Sequence, residues 1–253
     1  MTNKLNQFTI HNSLLTNFAF TLAETLIVMG IIGVVAALTL PNLNSSTGDK
    51  EKVTKVKKIY SNLEDAMGRA QAIYGPVEEW FKNGDTTQEK QVSRLGDILS
   101  EFLKVSKNCG TGTGCFSSAT KALNLNYSAN FDSDTKYYKI ILADGTSVAI
   151  GDNATGSDFS IYTDIDGANK GSNTEGKDIF FFMFDYGTNG FIRDPKNIYN
   201  NSSYSILDNC ITGGTDCSLW ILDNDNMDYL KVGTDKKCPN GTTVLSDTVT
   251  SCK

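Results

Sequence analysis

From Phe20 to Leu40 the chain reads FTLAETLIVMGIIGVVAALTL, an apolar run broken by one charge, Glu24, and by threonines. A helix needs about 20 apolar residues to cross a bilayer, and this run supplies them. A lone carboxylate inside such a span costs at least ~2–3 kcal/mol, so Glu24 demands a partner. A polar leader, residues 1–19, precedes the run. These features constrain the chain more than all that follows.

The body behind the run is acidic, within a net charge of −6 over 253 residues. Non-specific nucleic-acid binding needs a positive field, so bulk charge argues against nucleic acid as a partner. Cys109, Cys115, Cys210, Cys217, Cys238 and Cys252 all lie beyond the apolar run, and none forms CxxC or a Cys–His cluster. They suit disulfides in an oxidising, extracytoplasmic compartment better than zinc. The spans CGTGTGC, CITGGTDC and CPNGTTVLSDTVTSC favour nearest-neighbour pairing because short loops close at least entropic cost, although loop length alone does not decide the set. Lys4 before the span is a weak inside signal, and Lys50, Lys52, Lys55, Lys57 and Lys58 after it argue the other way. The cysteines place the head outside.

After Pro41 a polar stretch, NLNSSTGD, leads to Lys50. Either the helix breaks there, with Ser46 and Asp49 opening a new one, or it runs on through weak formers. Val53, Val56, Tyr60, Leu63, Met67, Ala70 and Tyr74 then recur at three- and four-residue steps, widened by Ile59, Ala66 and Ile73, until Gly75-Pro76 stops the pattern. The chain thus divides into leader 1–19, helix 20–75 with its membrane part at 20–41, and head 76–253. In the head, Gln88–Val105 reads as a helix. Tyr137–Leu142 and Ser147–Ile150 read as strands turned by Asp144-Gly145. Phe159–Ile165 is a third strand. Ile179–Phe184 (IFFFMF) is a strand buried on both faces, turned by Tyr186–Gly190 into Phe191-Ile192-Arg193. The expected class is α+β: a long N-terminal helix, transmembrane then amphipathic, packed on an antiparallel sheet.

Ala19 to Pro41, AFTLAETLIVMGIIGVVAALTLP, resembles the N-terminal segment of type IV pilins and type II secretion pseudopilins. The resemblance implies a pilin-like fold and cleavage between Ala19 and Phe20 by a prepilin peptidase, which methylates the new amine on Phe20. Glu24 then stands fifth from the cut and Pro41 twenty-second. The implied role of Glu24 is assembly, pairing with the ammonium of an adjacent subunit. Gly30, Gly33 and Pro41 loosen the helix as a subunit leaves the membrane. The implied product is a filament subunit and not an enzyme, held in the inner membrane as a single-pass precursor and then in a periplasmic or extracellular filament. Its implied partners are its own copies, the peptidase, the pilus or secretion machinery and, before assembly, membrane lipid. In pilins a disulfide-closed C-terminal region contacts neighbours, and Cys238 and Cys252 are placed to resemble it.

Alternative readings are a signal peptide cut near Val35-Ala36-Ala37, an uncleaved anchor, a minor pilin with a ligand-binding head, and an anchored carboxylate hydrolase. His11 is the only histidine and lies in the leader, so a chain cut before Phe20 has no histidine chemistry. The head segment TDIDGANKGSNTEGKD (Thr163–Asp178) sets Asp164, Asp166, Asn169 and Asp178 close together. Calcium takes oxygens from such loops, and a head-loop calcium is known in some pseudopilins. The competing reading is an Asp/Asn/Gly turn between two core strands. Asp223–Asp228 reads as a helix cap or turn.

Overall fold

The computed structural model describes residues 21–81, 87–152, 158–192 and 203–252, with the backbone alone at 36–47 and 152. The chain divides into two compact units, Met1–Ser46 and Thr47–Lys253. Helix α1 (Leu22–Tyr74) begins in the first and ends in the second, continuous through the polar NLNSSTGD stretch. Weak formers there do not break it. Gly75 ends it in a left-handed conformation (φ 78°), and Trp80 Nε1 donates to its carbonyl at 2.8 Å.

In the second unit the α1 stripe is buried as its spacing requires: Val56, Leu63, Ala66 and Ala70 are fully covered, and Val53, Ile59 and Met67 nearly so. Ile73 is the exception, 67% exposed, while its neighbour Tyr74 still packs against the core. The stripe packs on an antiparallel six-stranded sheet. Its strands are β1 (Val105–Gly110), β4 (Tyr137–Leu142), β5 (Ser147–Asp152), β6 (Asp158–Asp164), β7 (Ile179–Asp185) and β8 (Gly190–Phe191), in the order β1-β4-β5-β6-β7-β8. From β4 onward this is a meander, each strand paired with the next along the chain. Tyr60 of α1 meets Phe182 and Phe191 at ring distances of 5.7 and 5.6 Å.

Helix α2 (Gln88–Phe102) lies on β4 and β5 through Val92, Leu95 and Leu99. It stops three residues short of the expected Val105, which opens β1 instead. Gly96 is obligatory, since a Cβ there would sit 2.1 Å from the Tyr138 ring. The β4–β5 turn uses Asp144-Gly145 as expected, with Gly145 at φ 89°. Both faces of β7 are covered. Phe180, Phe182 and Phe184 join the main core, while Ile179 packs with Phe116, Phe131 and Ala149 on the far face. A small ribbon, β2 (Thr120–Lys121) with β3 (Ser128–Ala129), and two short helices, α3 (Ile206–Gly213) and α4 (Cys217–Asn224), complete the unit. The segment Asp223–Asp228 closes α4, with Asp225 at φ 58° as its left-handed cap. Arg193 lies outside the described residues.

The class is α+β with an antiparallel sheet. Among the described residues no helix is long and apolar enough to cross a membrane. The expected span 20–41 is described only in part, because Phe20 and the side chains beyond Val35 lie outside the description.

Candidate functional site

At the start of α1, Thr21 and Glu24 close on each other. The Thr21 N–H and hydroxyl both donate to Glu24 Oε2 at 2.9 Å, and the Glu24 N–H donates to Thr21 Oγ1 at 3.2 Å. This is a reciprocal capping box: each side chain satisfies a backbone N–H that the first helical turn leaves open. Glu24 therefore has a partner within its own chain. Thr21 was not singled out by the sequence reading, although T-x-x-E before an apolar run carries the signal. Behind the cap every described side chain from Leu22 to Val35 is exposed, Leu22 at 80% and Met29 at 74%. A Cβ added at Gly30 or Gly33 would meet nothing within 4 Å. Pro41 is helical in its backbone, and its side chain lies outside the described residues, as do Ala19 and Phe20 entirely.

The second candidate is the β6–β7 connection. Asp178, 1% exposed, accepts from Ser172 N (2.5 Å), Ser172 Oγ (3.0 Å) and Asn173 N (2.9 Å) on Oδ2, and from Thr174 N (2.6 Å) on Oδ1. Asp164, fully buried, accepts from Ser117 Oγ at 2.7 Å and Gly167 N at 3.1 Å. Burial, then contact with the Asp166 carboxyl, pushes the Asp164 carboxyl well above the usual range. Asp166 Oδ1 is buried without a hydrogen-bond partner. Asn169 sits at φ 61° and takes the Ser118 N–H and hydroxyl at 3.3 Å. Gly171 separates two carboxylates: a Cβ would fall 2.2 Å from Asp166 Oδ2 and 2.5 Å from Asp178 Oδ2.

The structure thus brings Asp164, Asp166, Asn169 and Asp178 into one neighbourhood, as their spacing suggested. Asp178 is spent on N–H and O–H donors, which fold the loop back on itself as a turn between two core strands. Calcium prefers six to eight oxygens and would compete with these donors. Among the described residues no three His, Cys, Asp or Glu side chains are grouped to hold a metal ion. Of the acids Asp164 and Asp166, the first is wholly covered and the second half-buried.

All six cysteines are paired: Cys109–Cys115, Cys210–Cys217 and Cys238–Cys252, the nearest-neighbour set. Two further residues, unmarked in the sequence, secure the first loop. Asp132 Oδ1 accepts from Gly114, Cys115 and Phe116 N–H groups, and Lys139, fully buried, donates to the carbonyls of Thr111, Asp132 and Asp134. Comparison of the chain with protein-family models, curated proteins and solved structures finds no match to any of them.

Proposed function

We propose that this chain is a structural subunit of a type IV pilus-like or type II secretion pseudopilus filament, cleaved before Phe20, methylated there and assembled through its N-terminal helix. The observation that carries the reading is the Thr21–Glu24 cap at the head of a 53-residue helix whose described apolar residues 22–35 face outward. An apolar surface of that kind needs lipid or other copies of itself to cover it. The cap supplies what a carboxylate in lipid lacks: two hydrogen bonds that keep Glu24 tolerable before assembly. On docking, Glu24 exchanges these for the ammonium at Phe20 of the adjacent subunit, a full positive charge in place of N–H and O–H dipoles. The greasy helices then pack together at the filament's centre. No catalytic role follows: the cysteines are all in disulfides, and a chain beginning at Phe20 has no histidine.

The test is Glu24→Val. The variant remains folded and membrane-bound but disappears from sheared filaments, while N-terminal mass spectrometry of wild type finds a methylated Phe20. Wild-type filament yield from the variant, or native chains that begin at Met1, would overturn the reading.

A further inference from the structure

Along its polar face, α1 presents Lys58, Asn62, Asp65 and Arg69 at steps of three and four residues, one wall of a groove of about 400 Å³. The end of α2 and the β4–β5 turn form the rest. Its floor is apolar, made by Phe102 with the buried Leu103 and Leu142. Two exposed ion pairs flank it, Lys58 with Asp144 at 2.7 Å and Arg69 with Asp65 at 2.8 Å. The Arg69 guanidinium also lies 5.5 Å over the Phe102 ring and donates to the Phe102 carbonyl at 2.6 Å, so it is held in place. Lys104 and Asn62, both exposed, make no ion pair or side-chain hydrogen bond among the described residues.

We propose that this groove binds a small polyhydroxylated anion, a sugar carrying one carboxylate. Lys58, Arg69 and Lys104 outnumber Asp65 and Asp144 by one charge, and the surplus belongs to Lys104, the cation without a partner. A carboxylate matches that one cation, and sugar hydroxyls can donate to Asp65 and Asp144, whereas the acceptor oxygens of a phosphate dianion would face those carboxylates unmatched. Hydroxyls both donate and accept, and the lining offers both kinds of group: the Asn62 amide, the carboxylates of Asp65 and Asp144, and the Lys and Arg donors. Exposed ion pairs hold one another weakly, so a ligand can re-partner Asp65 or Asp144 at small cost. The volume lies at the small end of ligand sites and accommodates one or two rings. Every residue involved belongs to the second unit, so this inference stands or falls apart from the filament reading.

The experiment uses the full chain in non-ionic detergent, with saturation-transfer NMR to glucuronic acid, an oligogalacturonate, glucose and inorganic phosphate. Glucuronic acid gives saturable transfer, glucose binds at least ~10-fold more weakly, and phosphate does not compete at equal concentration. Lys104→Glu weakens glucuronic acid at least ~10-fold and Asn62→Ala weakens it several-fold, both with an unchanged unfolding midpoint. Tighter binding of the oligomer assigns a polysaccharide source, and equal binding a free sugar acid; both support the site. Absence of saturable transfer to wild type, two variants that bind as wild type does, or equal competition by phosphate would each overturn it.

Discussion

Lys139 illustrates how one buried charge organises a loop. Each of its ammonium protons has a carbonyl, at 3.1 Å (Thr111), 2.9 Å (Asp132) and 2.8 Å (Asp134), and no part of the residue is exposed. Burial holds its pKa down, and the Asp132 and Asp134 charges partly restore it. Lys139→Met keeps the stem but leaves three carbonyls without a donor, so it should cost about 2–3 kcal/mol, read as a shifted urea midpoint at constant slope. The acids of the β6–β7 connection set a pH dependence. Glu175 is pushed up to about 7 by burial, and Asp164 rises in the same direction, by burial and then by Asp166. A carboxyl whose folded pKa is raised binds its proton more tightly in the native state. Its contribution is therefore full below the unfolded value of 4.5 and lost as pH rises through about 7. Thermal stability should fall across that window, and Glu175→Gln should flatten the fall; a rise in stability with pH would contradict the assignment. Calcium has to displace four donors at Asp178, so millimolar calcium should move the unfolding midpoint by less than about 2 °C at neutral pH. A larger rise would assign calcium to the loop.

Among the elements, the cap of α1 is the one whose loss can be watched directly. Thr21→Val keeps the N–H bond to Glu24 but removes the hydroxyl that completes the reciprocal pair. Losing a cap costs about 1 kcal/mol. Amide exchange over residues 22–25 should therefore speed up roughly 5-fold while exchange in the Val53–Ala70 stripe is unchanged. Equal exchange in both proteins would mean that the box contributes nothing to the helix start. The sequence betrayed those elements whose burial is periodic. The α1 stripe, the Asp144-Gly145 hairpin and IFFFMF each have one dominant pattern, and each formed where that pattern placed it. Strand β1 was invisible because its ladder with β4 shifts register between Val105 and Lys107 and again between Asn108 and Gly110, which destroys alternation. Helices α3 and α4 are eight residues each, too short for periodicity, and are tied by Cys210–Cys217. At the candidate sites the acid spacing was legible. What Asp178 does was not, because its partners, three backbone N–H groups and the Ser172 hydroxyl, converge on it only once the loop has folded. The T-x-x-E spacing of Thr21 and Glu24 carries the cap signal, but a carboxylate inside an apolar run reads first as a buried charge.

At the level of the whole molecule, the second unit combines a main core and a smaller cluster across the sheet with disulfides that close short loops, and the loops differ in how densely they are held otherwise. Cys238–Cys252 spans 14 residues, twice the separation of Cys210–Cys217, and returns the C-terminus to the body. There Cys252 N donates to Asp228 Oδ2 at 2.7 Å and Asn226 Nδ2 to the Thr250 carbonyl at 3.0 Å. Away from the bridge the loop is tied by the Leu207 N–H, which donates to Asp247 Oδ1 at 3.0 Å, and by Leu245, buried in the main core. Cys109–Cys115 closes only six residues, and its loop is held independently by the Asp132 carboxylate and the Lys139 ammonium. Chain entropy alone ranks the two bridges weakly, at about 3 kcal/mol for a 15-residue loop and somewhat less for a shorter one. The ties of Asp132 and Lys139, concentrated on the shorter loop, should widen that gap. Replacing Cys238 and Cys252 together by Ser should cost about 3 kcal/mol, and replacing Cys109 and Cys115 together under about 2, in urea unfolding of the full chain. Adding Lys139→Met to the Cys109/Cys115 variant should cost more than the separate losses combined, because the loop then has lost both closures. Simple additivity would show that the ammonium and the bridge act on different structures.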